Sequence, residues 1–268
     1  MLGWLALGYA FAVGAAYAGQ RALIYPMRGR GNAPAVVGAR LERIVGRDGS
    51  TVFALHVPAA AGAPTLVHFH GNGEELASLD RLLADFHEAG LGVYAVEYPG
   101  YGLARSGTPS EPTLYAAAES ALRHLRDELG VSRAETVLQG QSLGTAVAVE
   151  MARRGYAGKL VLISPFTSLP DLAARVLPFL PARQLVRDSY DSLAKVGALD
   201  LPVLTIHGDR DEVVPFEMGR RIAKRLRRGR FVVIEGGHHN DLFGRSRSRM
   251  LQEITGFALQ NPVETPNP

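Results

Sequence analysis

Between Glu135 and Arg154 the stretch ETVLQGQSLGTAVAVEMARR takes an apolar strand into Gly140-Gln141-Ser142-Leu143-Gly144 and starts a helix with no residues left for a loop. Glycines two residues either side of a serine suit a corner so tight that larger side chains would strike the neighbouring strand and helix. A serine at the tip of such a corner points its hydroxyl outward. The spacing is that of G-x-S-x-G, the nucleophile elbow, and the flanking strand and helix give a common pattern its weight. A strand feeding directly into a helix is also the building unit of a mostly parallel α/β sheet.

The rest of the chain keeps that rhythm. Residues 41–45 and 51–57 read as an opening hairpin around Arg47-Asp48-Gly49-Ser50, where Asp-Gly is a strong turn signal. Core strands are expected over 64–70, 92–97, 136–139, 160–164, 203–207 and 231–235, and helices over 74–89, 111–129, 142–154, 216–228 and 240–259. Residues 169–200 break the alternation with prolines and an apolar cluster at 176–180, as a short helical cap over one end of the sheet would. At 268 residues the chain has room for one such domain, expected over 39–260 and followed by a disordered tail, 261–268.

The first nineteen residues carry no charged side chain and as a helix would span about 28 Å, close to a bilayer core. They read as an N-terminal hydrophobic helix, a single-pass membrane anchor over 1–19 with a tether over 20–38. Ala16-Tyr17-Ala18 also fits a signal-peptidase site, but the basic n-region is missing; a hydrophobic helix packed on the domain is the third reading. The net charge of +3 is mild and its basic residues are scattered, so no nucleic-acid partner is expected. The one basic run, 220–228, has apolar residues at helical spacing and reads as a solvated helix face. With no cysteine, disulfides and thiolate chemistry are excluded.

A serine hydroxyl is a poor nucleophile at neutral pH and needs a histidine within reach, itself held by an acid. Asp209, Asp211 and Glu212 follow the strand LPVLTIH, and His238 and His239 follow FVVIEGG. Serine, then acid, then histidine is the chain order of one such arrangement on an α/β sheet. His68 and His70 share a strand face as a metal pair would, but no third ligand cluster accompanies them, so no metal is expected.

The pieces HFHGNG, EYPGYG, GTPSEPTLYAA, GQSLG, HGDRDEVVP and GGHHND together resemble the α/β-hydrolase superfamily, from about residue 20 to 259. Within it they are similar to the membrane-anchored abhydrolase-domain serine hydrolases, some of which are depalmitoylating thioesterases. The resemblance implies an α/β-hydrolase fold, a mostly parallel central sheet flanked by helices. It implies Ser142 as nucleophile, Asp211 as the acid and His239 as the base, with His238 standing where the pattern has glycine. The backbone N–H groups of Leu143 and of Asn72, in the loop His70-Gly71-Asn72-Gly73, are implied as the oxyanion donors. The expected reaction is hydrolysis of an ester or thioester of an acyl substrate at a membrane, with no cofactor. A peptidase of the same fold, or a binding module that has kept the fold without the chemistry, stands as the alternative.

Overall fold

The computed structural model describes residues 1–26, 31–32, 34–47 and 49–260. The hairpin-turn residue Asp48, residues 27–30 and 33 of the expected tether, and the tail 261–268 lie outside them. Eight strands form one sheet: β1 (Arg40–Val45), β2 (Thr51–Val57), β3 (Thr65–Phe69), β4 (Gly92–Glu97), β5 (Thr136–Gln141), β6 (Lys159–Ile163), β7 (Val203–Gly208) and β8 (Gly229–Ile234). Their order is β1-β2-β4-β3-β5-β6-β7-β8. The first two strands pair antiparallel with each other, and β2 with β4, while β4 through β8 run parallel. The helices are α1 (Leu2–Ile24), α2 (Asp80–Glu88), α3 (Glu111–Asp127), α4 (Leu143–Arg153), α5 (Leu169–Val176), α6 (Ala182–Leu185), α7 (Ser192–Val196), α8 (Phe216–Arg225), α9 (Leu242–Arg245) and α10 (Arg247–Leu259). This is the α/β-hydrolase architecture expected from the sequence.

The parallel strands read as near-continuous apolar runs because both of their faces are covered. On one face Leu122, Val147 and Ile222, from α3, α4 and α8, pack on Val67, Leu138 and Leu162. On the other, Leu83 and Phe86 of α2 and Met250 and Ile254 of α10 cover Leu66, Val93, Val161 and Leu204. Local signals start the helices: the Ser110 hydroxyl accepts from Thr113 N at 3.3 Å to cap α3, and Ser168 caps α5 through Asp171 N at 3.2 Å. From β3 the chain crosses to β4 on one side and later returns to β5 on the other. Such a reversal opens a crevice at the strands' C-terminal ends, where α/β proteins build their sites.

The cap, 169–200, contains α5, α6 and α7. The structure does not support the bilayer span expected over 1–19: among the described residues no helix is long and apolar enough to cross a membrane. Glycine and alanine fill ten of the positions 3–19 and dilute the apolar character. The helix also runs past residue 19 to Ile24, and its last turns are built into the domain. Gln20 Oε1 accepts from Arg187 N at 2.9 Å, and Arg187 lies over the Tyr17 ring, 4.2 Å from its centroid. Beyond the helix, the buried Tyr25 hydroxyl donates to Asp188 Oδ2 at 2.7 Å and meets the Tyr190 hydroxyl at 2.9 Å.

Candidate active site

Ser142 occupies the junction of β5 and α4 at φ 50° and ψ −114°, a region that costs a non-glycine residue on the order of 1–3 kcal/mol. Its surroundings impose that geometry. A Cβ on Gly140 would lie 2.3 Å from the Gly144 carbonyl oxygen, and one on Gly144 would lie 2.0 Å from the Phe69 carbonyl oxygen. Only glycine lets helix and strand approach so closely. The turn is pinned by Ser142 N donating to Ile163 O at 2.9 Å, and by Thr145 N and Oγ1 donating to Ser142 O at 3.0 and 2.6 Å.

The loops after β7 and β8 bring the other two residues to this corner. His239 Nε2 lies 3.0 Å from Ser142 Oγ, and His239 Nδ1 lies 2.8 Å from Asp211 Oδ2. Asp211 Oδ1 accepts from Val213 N at 3.0 Å and Val214 N at 2.7 Å, which leaves Oδ2 for histidine. Burial raises the carboxyl's pKa. Hydrogen bonds from His207 and His239, and then the backbone N–H of Val214, outweigh it and hold the group well below the ordinary carboxylate range. The neighbouring His238 points elsewhere: its Nδ1 pairs with Glu212 Oε2 at 3.0 Å on the exposed surface. Asp209 closes a turn by accepting from Gly236 N at 2.6 Å.

Asn72 and Leu143 both line the cavity that Ser142 faces. In the loop after β3 the Gly71 N–H is taken by Glu74 Oε2 at 2.6 Å. Among the described residues no protein acceptor takes the Asn72 or Leu143 N–H. The Asn72 side chain is fixed at both ends, its Nδ2 donating to Ile24 O and its Oδ1 accepting from the Tyr101 hydroxyl. Behind the loop, fully buried His70 places Nδ1 2.9 Å from Gly71 O and Nε2 3.1 Å from Glu97 Oε1. Burial works against a charge on this ring, but the Glu97 carboxylate more than offsets it and raises the pKa above the ordinary imidazole value. Both ring nitrogens face oxygen acceptors, so the geometry suits the doubly protonated ring. The Gly71 carbonyl shares a peptide unit with the Asn72 N–H, and His70 therefore fixes the direction in which that N–H points. His68, one turn of the pleat earlier, is fully buried, and burial first, then His70, pushes it down to about 3 against a smaller opposing effect of Gln139.

The cavity holds about 610 Å³ and is mostly apolar, walled by Phe166, Leu172, Ala173 and Val213 and by Ile24 of α1. Of the cap residues singled out in the sequence, Val176 and Leu177 line it, Leu180 lines a neighbouring cleft, and Phe179 is 85% exposed.

The sequence profile of the alpha/beta hydrolase family matches residues 66–201, about half of the chain. An uncharacterized protein of Mycobacterium tuberculosis is 36% identical over 253 residues, covering 91% of this chain and 89% of its own length. The chain belongs to the alpha/beta hydrolase family. The human alpha/beta hydrolase domain-containing protein 17B is 32% identical to this hydrolase over 195 residues, 71% of the chain and 66% of that protein. Among solved structures, the Pyrococcus furiosus esterase Pf2001 superposes with a TM-score of 0.70 at 17% identity, over 84% of the hydrolase and 96% of that chain. A puromycin-hydrolyzing peptidase of Mycobacterium tuberculosis gives 0.67 at 22% identity, over 82% and 39%. At these identities the structural likeness speaks for the fold.

One group at the hydrolase's site is not among the candidates that the sequence offers. His207, fully buried at the end of β7, puts Nε2 3.0 Å from Val214 O and 3.3 Å from Asp211 Oδ2. Both are acceptors, so the proton sits on Nε2. Its Nδ1 has no partner among the described residues and lies against Gly219, where a Cβ would come within 2.1 Å. Asp211 is thus flanked by two imidazoles. The signal was in HGDRD, a histidine four residues before the acid, but a strand-end histidine is as often a packing residue.

Proposed function

We propose that this chain is a serine hydrolase that cleaves a carboxylic ester or thioester of an acyl group. The observation that carries the reading is the unbroken hydrogen-bonded chain Asp211, His239, Ser142 ending at an apolar cavity. Ser142 Oγ attacks the carbonyl carbon and its proton passes to His239 Nε2. Asp211 holds His239 with Nδ1 protonated, the tautomer whose Nε2 can accept. The carbonyl oxygen, now negative, is received by the Leu143 and Asn72 N–H groups, each worth roughly 3 to 4 kcal/mol in such a role. Collapse of the tetrahedral species breaks the bond to the leaving oxygen or sulfur, which takes the proton from His239. Water then attacks the acyl-Ser142 ester, with His239 as base, and frees the acid. The whole sequence is acyl transfer, first to Ser142 and then to water, and asks for no cofactor.

An apolar cavity beside the nucleophile supports an acyl rather than a polar substrate. The exposed apolar residues Trp4, Leu5, Leu7 and Phe11 of α1 support contact with a lipid surface rather than a span across it. Reaction with a fluorophosphonate, lost in Ser142→Ala, together with turnover of p-nitrophenyl esters and acyl thioesters, tests the assignment. Turnover of amides alone would favour a peptidase. Absence of both labelling and turnover would leave a binding module.

A further inference from the structure

A second, narrow cleft of about 70 Å³ lies between α1 and the cap, lined by Ala16, Gln20, Leu180, Ala182 and Leu185 among others. Leu23, Ile24, Ala173 and Leu177 line both this cleft and the site cavity, so the two spaces adjoin along those four side chains. Among the described residues that line the cleft Gln20 is the one polar side chain, and its amide is spent on the backbone. Nε2 donates to Tyr17 O at 2.9 Å and Leu185 O at 3.2 Å, and Oε1 accepts from Arg187 N at 2.9 Å. What remains facing the cleft is hydrocarbon.

The wall contributed by α1 is held at both ends of the cleft. Asn72 Nδ2 binds Ile24 O beside the cavity, and the Tyr9 hydroxyl donates to Phe179 O at 3.1 Å on the far side. Tyr25, Asp188 and Tyr190 lock the chain to the cap just past the helix.

We propose that the cavity and cleft together are a channel for an unbranched acyl chain, and that α1 is its outer wall and the element that sets acyl length. This rests on Ser142 being acylated by the substrate. The carbonyl sits at Ser142, the first methylenes lie against Phe166 and Leu172, and longer chains pass between Ile24 and Ala173 toward Ala16. A branched or polar acyl group has no room and no partner there.

The test is a series of p-nitrophenyl esters from acetate to laurate on the full-length chain. In the wild type, kcat/KM rises by about fourfold for each methylene that enters the channel, then falls once the channel is full. Ala173→Phe, where the two spaces adjoin, moves the optimum to short chains. Ala16→Phe, on the half-buried face of α1, trims only the longest, and it carries the test if the first variant does not fold. A flat profile in wild type, or an Ala16→Phe profile identical to wild type, overturns the channel while acetate turnover leaves the hydrolase reading standing. No ester turnover and no fluorophosphonate labelling overturns both.

Discussion

Replacing Asp211 by asparagine isolates what one carboxylate oxygen does. Asp211 Oδ1 accepts two backbone N–H groups, from Val213 at 3.0 Å and Val214 at 2.7 Å. Both are donors, so the asparagine carbonyl must take that position and its NH2 must take the place of Oδ2. There it faces His239 Nδ1 across 2.8 Å and His207 Nε2 across 3.3 Å. The NH2 needs an acceptor, and His239 can supply one only by giving up the Nδ1 proton and carrying it on Nε2. Ser142 Oγ, 3.0 Å away, then meets a donor and has no base. The wrong tautomer should lower kcat by about 10⁴-fold, or about 5.4 kcal/mol at 1.36 kcal/mol per decade. The fold loses far less, about 1–2 kcal/mol, since both backbone bonds survive and His207 keeps Val214 O. The assay is kcat and KM on p-nitrophenyl butyrate, with urea unfolding on the same samples. A folded variant within about tenfold of wild-type kcat would refute the orienting role of Asp211.

Glu97→Gln keeps a hydrogen-bonding group against His70 but removes the charge that favours its protonated form, so the Asn72 peptide loses polarisation. Expect kcat down by about tenfold with KM nearly unchanged, as for loss of about 1.4 kcal/mol felt only in the transition state; equal effects on both constants would point to a general structural loss. Tyr25→Phe leaves the buried Asp188 carboxylate without its 2.7 Å donor and should lower stability by about 1–3 kcal/mol in urea unfolding. An unchanged midpoint would mean that the end of α1 is not anchored there. Glu150 is buried; burial alone would raise its pKa, but Arg153, Lys195 and Arg154 bring it down from 4.5 to about 2. A carboxyl depressed on folding contributes stability that is full above its unfolded value and lost as pH falls toward the folded one. The gap between wild type and Glu150→Gln should therefore reach up to about 3 kcal/mol at pH 7 and shrink between pH 4.5 and about 2. A gap that stays constant with pH would show the loss to be one of packing.

What the sequence determined by itself are the features whose physics is local. A glycine-flanked serine between an apolar run and a helix specifies the β5–α4 corner, because no other residues fit where Cβ atoms would come within 2.0 to 2.3 Å of backbone. Apolar runs alternating with capped helices specify a parallel sheet covered on both faces, and the ends of its strands are where chemistry-bearing residues collect. Ser142, Asp211 and His239 were nameable as candidates because each follows a strand in a recognisable short pattern. Their distances were not, since Ser142 and His239 are 97 positions apart and only the sheet order brings their loops together. The resemblance already favoured His239 over His238; the physical reason is in the backbone, which turns one ring to Glu212 on the surface and the other to Asp211. The N-terminal helix shows the limit most clearly. A run of uncharged residues reads as a membrane anchor when solvation is the only term considered, and its end reads as tether. Tertiary structure supplied competing partners for that same end: Leu185 and Arg187 for Gln20, Asn72 for Ile24, and Asp188 and Tyr190 for Tyr25. Those partners lie 48 to 167 positions away, so no local pattern announces them, and together they make α1 a wall of the site cavity.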